Sequence, residues 1–250
     1  MTKLNKYDMQ FLLRSLAASV IAILIWTYFY SSQINENYLN VSLDDNAAKQ
    51  KALQYIGSRG WDVSGYTYSC EYISSFFAKW GWWDNQNYNY IKESITQKDP
   101  KQLNELEKLT GEHRWNMRWY NPPSSEEFQI SYTIHGDLTF FHHIIPDSSF
   151  GDSLPTNIAY DIAKIFLKNN TNIIWNEKDW KLQIEHKVKQ DNRLDHYFQW
   201  ENKLYSFKQK HGDHSDNSTI RMSIIVKGNK VARYNRWLEN PDDTENEYSS

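Results

Sequence analysis

Only one cysteine, Cys70, occurs in the 250 residues, so no internal disulfide can form. The net charge is −3 and no concentrated basic face is present, which excludes the electrostatic footprint of a nucleic-acid partner. There is no His-Glu-x-x-His zinc helix, no Gly-x-Ser-x-Gly nucleophile elbow, no Walker phosphate loop and no Gly-x-Gly-x-x-Gly fingerprint. Cys70 has no assignable base and reads as a buried or idle thiol. These absences leave no catalytic residue set and no cofactor in the primary reading.

Charged residues are also absent between Arg14 and Glu36. This stretch, Ser15 to Asn35, meets the length of about 20 predominantly apolar residues that a helix needs to cross a bilayer. Lys3, Lys6 and Arg14 precede it, and Glu36, Asp44 and Asp45 follow. Positive residues stay inside, so a cytoplasmic N-terminus and an extracytoplasmic remainder are expected. Trp26, Tyr28, Phe29 and Tyr30 gather at the outer end, where an aromatic belt sits. A cleaved signal has a shorter apolar core and a small-x-small site. Here the core runs into Tyr28-Phe29-Tyr30 without Ala-x-Ala, which favours a retained anchor. No cysteine near position 20 supports a lipoprotein signal.

Beyond a polar linker, 36–46, two segments follow one plan, and the expectation is an internal repeat. The fold class expected is α+β: a transmembrane helix (15–35) after a cytoplasmic start (1–14), then two related helix-plus-antiparallel-sheet modules, 47–150 and 151–250. In the first, Asp44 to Asn46 offer N-caps. Ala48, Ala52, Leu53, Tyr55 and Ile56 make an apolar stripe, and Gly57 or Gly60 ends it. In the second, Thr156 or Asn157 caps, Ile158, Ala159, Ile162, Ala163, Ile165 and Phe166 form the stripe, and Asn169 and Asn170 close it. Each segment ends in a hairpin. Ile130, Tyr132 and Ile134 lead to Gly136-Asp137, then Leu138, Phe140 and Ile144; Ile220 to Val226 lead to Gly228-Asn229, then Val231, Arg233 and Trp237. Trp115 to Tyr120 and His196 to Glu201 alternate like strands, with Trp119 and Trp200 in similar places. The spacing from helix to hairpin is 19 residues longer in the first segment, which fits an extra helix opened by Asp99-Pro100, carried by Leu103, Leu106 and Leu109, and stopped at Gly111.

These phrases resemble a known family. Helix followed by meandering sheet, in tandem outside a membrane, is similar to PepSY-like modules, and more closely to the extracytoplasmic region ahead of the membrane domain in bacterial CPBP (Abi) intramembrane metalloproteases. The matching phrases are Ala52-Leu-x-x-Ile56 with Gly60-Trp61-Asp62, Trp115-x-x-Arg118-Trp119, Glu127-Phe-x-Ile-x-Tyr132, Gly136 to His142, and Ile145-Pro-Asp147. In the second segment they are Asp195 to Glu201, Arg221-x-x-Ile-x-Val226-x-Gly228 and Pro241. The resemblance implies a packing fold rather than an activity. The protease needs several membrane helices and a Glu-Glu-x-x-x-Arg motif, whereas Glu126-Glu127 here precedes Phe128, Gln129, Ile130 and Ser131. Against that family the chain reads as a stand-alone relative or as the N-terminal piece of a split gene.

Two histidine groups carry side chains of the metal-ligating kind. His135, Asp137, His142 and His143 read as sheet histidines, because adjacent strand residues face opposite ways. His211, Asp213 and His214 are the weak metal candidates, within a polar loop that also holds Asp216. Trp80, Trp82 and Trp83 form the most unusual run and a candidate binding surface. Three Asn-x-Ser/Thr sites, at Asn40, Asn169 and Asn217, matter only in a eukaryotic source, while the resemblance points to bacteria. The function expected is a membrane-anchored, non-catalytic extracytoplasmic binding, sensor or regulatory module. Its partners would be the bilayer, through the N-terminal helix, and a peptide or membrane protein. The alternatives are the accessory part of a CPBP-type protease and a metal-dependent hydrolase using His211, Asp213 and His214.

Overall fold

The computed structural model describes residues 6–33, 41–73, 107–122, 124–173, 175–211 and 214–239, with the side chains of 29–33, 203, 205–211 and 214–218 excepted. The chain divides into two compact units, residues 1–40 and 41–250. In the first, α1 (Lys6–Gln33) is a single helix. Its segment Lys6–Tyr28 is long and apolar enough to cross a membrane, and none of it is buried. A signal sequence near an N-terminus meets the same test.

The second unit opens with residues 41–44, which are tied down rather than free as a linker. Ser42 and Leu43 donate their N–H groups to Ile134 O at 3.0 and 2.9 Å, and Trp115 Nε1 donates to Leu43 O at 2.8 Å. Asp44 then caps α2 (Asp45–Ser58) by accepting from Ala47 N at 2.7 Å. Ala48, Ala52 and Ile56 form its buried stripe, as the spacing predicts.

Four strands follow: β1 (Thr67–Ile73), β2 (Arg114–Tyr120), β3 (Glu127–Thr133) and β4 (Leu138–Ile144). A second helix, α3 (Thr156–Asn170), is followed by four more: β5 (Trp180–Lys189), β6 (Leu194–His211), β7 (His214–Lys227) and β8 (Lys230–Glu239). All eight form one sheet in the order β1-β2-β3-β4-β8-β7-β6-β5, with antiparallel neighbours. The last strands of the two sets therefore meet in the middle. That junction is short: only Phe140↔Asn235, Phe141↔Tyr234 and His142↔Arg233 are registered.

Both helices pack on one face. Tyr55 of α2 meets Phe141 edge-on at 5.1 Å, and Phe166 of α3 meets Tyr234 at 5.6 Å. Because Phe141 and Tyr234 are partners across the junction, the two helices share a side. Arg59 joins them, donating from Nη2 to Asn170 Oδ1 at 3.0 Å and lying over Tyr55 and Phe166. Beneath the helices one core holds Met117, Trp119, Phe128, Ile130, Phe198, Trp200, Met222 and Ile224.

The predicted hairpins are present, with Gly136 and Gly228 both at positive φ. Gly228 also lies so close to Asp152 N that an added Cβ would stand 2.9 Å from it. Other expectations need correction. Neither Thr156 nor Asn157 caps α3: Pro155 is the N-cap and makes no side-chain bond. Ile158 and Ile165 of its stripe face outward, because Ala159, Ala163, Phe166 and Leu167 suffice to fill the contact with the sheet. Ile134 is buried in the turn, not in the strand. Strands β1 and β5 carry no alternation that the sequence reading used. Of the insertion helix, Asp99, Pro100, Leu103 and Leu106 lie outside the described residues. Residues 107–110 are helical, and Gly111 follows at φ +65°.

Candidate functional site

The sheet has a second face, and among the described residues no helix packs on it. Side chains alternate along a strand, so residues paired in register stand beside one another on one face. One row reads Arg118, Gln129, His142, Arg233, Ile225, Tyr197 across six strands. The next reads Asn116, Ser131, Phe140, Asn235, Ser223, Gln199. Trp237 and Arg221 begin a third row that reaches Glu201. The small and amide residues Ser131, Ser223 and Gln199 are buried between larger neighbours, whereas Phe140, His142, Arg233, Asn235 and Trp237 are half-buried.

Most charges here are matched. Arg118 grips Glu127 with two hydrogen bonds, Nε to Oε1 at 2.5 Å and Nη2 to Oε2 at 2.6 Å. The Arg118 bond holds the Glu127 carboxyl below the usual carboxylate range. Arg221 Nη1 donates to Glu239 Oε1 at 2.7 Å, and Trp237 Nε1 donates to Glu239 Oε2 at 2.5 Å. Glu201 accepts from Thr219 Oγ1 at 2.8 Å and from Gln183 Nε2. Arg233, in the middle, has no carboxylate partner among the described residues. Burial, with the cations Arg233 and Lys227 nearby, pushes the His142 pKa down to about 4. His142 is therefore neutral near pH 7.

A second polar cluster lies on the helix side. Tyr66 OH donates to Glu126 Oε2 at 2.7 Å, and His143 Nε2 lies 2.6 Å from Glu126 Oε1. The imidazole stacks on Phe128 at 4.3 Å and meets Trp61 at 4.6 Å. Burial alone would raise the Glu126 carboxyl, but bonds from His143 and Tyr66 outweigh it and hold it low. Burial lowers His143, and the Glu126 bond only partly restores it. No hydroxyl or thiol nucleophile is hydrogen-bonded to His143 among the described residues, so this trio braces the loop before β1 against the sheet.

Among the surface grooves lined by described residues, two lie beside the helices. One of about 530 Å³ runs between α3 and residues 175–178, with Lys168, Trp175 and Lys178 in its walls and Lys164 paired to Asp161 and Glu177. One of about 340 Å³ lies between α2 and the end of α3, lined by Lys51, Tyr55, Tyr132 and Asn170. Lys51 Nζ there already donates to Gly136 O at 2.6 Å.

The structure separates the sequence-predicted histidines. His142 faces the helix-free side, His143 the helix side, and His135 sits in the β3–β4 turn. Glu126 and Glu127 are likewise split, one to His143 and one to Arg118. No group of three metal-ligating side chains occurs among the described residues. His211 and His214 are backbone partners at the end of the β6–β7 hairpin, and Asp213 lies outside the described residues. Trp80, Trp82 and Trp83 also lie outside them. Cys70 is exposed on the edge strand β1 rather than buried.

Buried charged side chains occur where the sequence gives no sign of burial, Glu107 beside His113 and Arg193 among them. Arg193 is fully buried, bonded through Nε to Asp195 Oδ1 at 2.9 Å and through Nη1 to Pro146 O and Ser149 O at 2.9 and 2.8 Å. It locks the Ile145-Pro146-Asp147 phrase to the β5–β6 hairpin. The signal was an Arg-x-Asp pair at a turn, indistinguishable in sequence from a solvated one. No family model, curated protein or solved structure matches this chain.

Proposed function

We propose that the chain is a membrane-anchored, non-catalytic binding module that stands outside the cytoplasm and works through the helix-free face of its sheet. The observation that carries the reading is that face itself: half-buried aromatic, amide and cationic side chains in registered rows across six strands, with Arg233 unmatched at the centre. Polar rows with aromatic neighbours are the chemistry of a recognition surface. The charge bias around α1 supports a cytoplasmic N-terminus.

Among the described residues, leaving aside the helical turn at 107–110, a helix followed by four strands occurs twice, and Trp119 and Trp200 both lie buried in the second strand of their set. This supports two related modules of the PepSY-like kind, joined in one sheet, and with them a sensing or regulatory role toward a neighbouring membrane protein. A second reading, the accessory part of a CPBP-type protease, draws on the same plan. It requires a multi-helix membrane protein with Glu-Glu-x-x-x-Arg encoded immediately downstream.

Cys70 offers the test of placement, being the sole cysteine and exposed. Burial of the sulfur by its neighbours raises the thiol pKa, so labelling is done at mildly alkaline pH. A membrane-impermeant maleimide is expected to label the protein on intact cells and to miss the Cys70→Ser variant. Labelling only after lysis contradicts the proposal.

A further inference from the structure

Arg233 stands where the two halves of the sheet meet, paired in register with His142 on β4 and Ile225 on β7. Its guanidinium lies 5.9 Å from the centre of the Phe140 ring, a cation–π contact that offsets part of its desolvation. Its Nε is buried and has no hydrogen-bond acceptor. A buried donor left unmade is costly, so a side-chain movement that brings the guanidinium to an acceptor is favoured. The Nε groups of Arg221 and Arg236 are likewise buried without an acceptor, but Arg221 is held through Nη1 by Glu239, Arg236 through Nη2 by Lys108 O, and Arg118 by Glu127, whereas no carboxylate among the described residues holds Arg233. In the adjoining row Asn235 and Ser223 are registered partners, and neither side chain is hydrogen-bonded among the described residues.

We infer that Arg233 anchors a carboxylate-binding site on the helix-free face, which takes an acidic side chain or a chain terminus of a bound polypeptide. The inference rests on the binding reading above and names the chemistry of the partner. A planar guanidinium fork matches a carboxylate with two parallel hydrogen bonds, which a lysine does not reproduce. Asn235 and Ser223 add neutral donors in the next row, and the Phe140 ring supplies an apolar wall for the aliphatic part of the ligand. With Arg118 held by Glu127 and Arg221 by Glu239, Arg233 is left among the described residues of these three rows as the arginine without a carboxylate partner, and an anion is drawn to it.

The test uses the full-length protein in detergent with 15N-labelled arginine, which gives eight side-chain Nε–H signals, one for each arginine. The Arg233 signal is identified by its loss in Arg233→Lys. Three probes are titrated: N-acetyl-Ala-Glu-Ala amide, N-acetyl-Ala-Ala-Ala as the free acid, and N-acetyl-Ala-Gln-Ala amide. At least one acid probe is expected to shift the Arg233 signal saturably, with half-saturation below about 20 mM, a weak-binding range for a single ion pair. The glutamine probe leaves it unmoved, and the Arg118 and Arg221 signals stay in place. Response to only the first or only the second probe separates side chain from terminus. No saturable shift with either acid, an equal shift with the glutamine probe, or equal shifts at all arginines overturns the inference. Failure here with photo-crosslinks still mapping to the face removes the carboxylate assignment alone; absence of crosslinks removes the binding reading itself.

Discussion

At the residue scale, polar side chains do two different kinds of work in this molecule. Arg193 is buried and satisfied on every side, so its contribution is to fix the segment between the two strand sets. Breaking a buried pair of this kind leaves a lone charge behind, so loss of either partner is strongly destabilising. His142 and Arg233 are half-buried, and the Arg233 Nε has no hydrogen-bond acceptor. His142 also carries a prediction. Its pKa falls from 6.5 to about 4 on folding, first through burial and then through Arg233 and Lys227. The unfolded chain thus binds more protons between those values. Its share of stability is complete above about pH 6.5, declines as the pH drops toward 4, and levels off below. Thermal unfolding of the full chain should show this loss, and His142→Gln should flatten it. An unchanged pH profile in that variant would mean that the imidazole is solvated. None of this was legible in the sequence. His142 and His143 read as alternating neighbours, but which one met the helices depended on β4 pairing with β8.

At the element scale, local chemistry was readable and remote pairing was not. The Gly136-Asp137 and Gly228-Asn229 turns, the Asp44 cap and the α2 stripe all follow from short-range rules, and all stand in the structure. Strands β1 and β5 leave little signal in the sequence because they are sheet edges, with mostly exposed side chains and no buried alternation. The α3 cap was misplaced because Pro155 already fixes an extended entry to the helix, which makes a side-chain cap unnecessary. Gly111 shows a closer constraint. Its φ of +65° suits glycine, and a Cβ there would lie 2.4 Å from Thr139 Cγ2. Nearby, Lys108 O accepts from Arg236 Nη2 at 2.8 Å, so this turn braces β8 as well as β3 and β4. Gly111→Ala should lower stability by about 1–3 kcal/mol, the usual cost of overpacking with backbone strain. Adding Thr139→Ser, which removes the clashing methyl and keeps the hydroxyl bonded to Ser131 O, should recover part of that loss. Equal stability of the single and double variants, measured by thermal unfolding, would place the whole penalty in φ.

At the scale of the whole molecule, two sets of described elements unite by their last strands, and the result is one sheet with α2 and α3 on one face. Each set alone would expose the edge of β4 or β8, an open ladder prone to pairing with other chains. Their meeting closes both edges and lays two half-surfaces into one continuous face. The repeated plan expected from the sequence does not reveal this union, because only three registered pairs join the two strand sets and none belongs to a recognisable local signal. The same union creates the candidate site: Arg233 from one set stands beside His142 and Phe140 from the other. The central claim is that this face, and not the helix side, meets a partner. A photo-crosslinking amino acid placed at Asn235 on the helix-free face, and separately at Ile165 on the exposed side of α3, tests it in living cells. The account predicts a discrete adduct from position 235 and none from position 165. No adduct from 235 in folded, membrane-associated protein, or the same adducts from both positions, would contradict it.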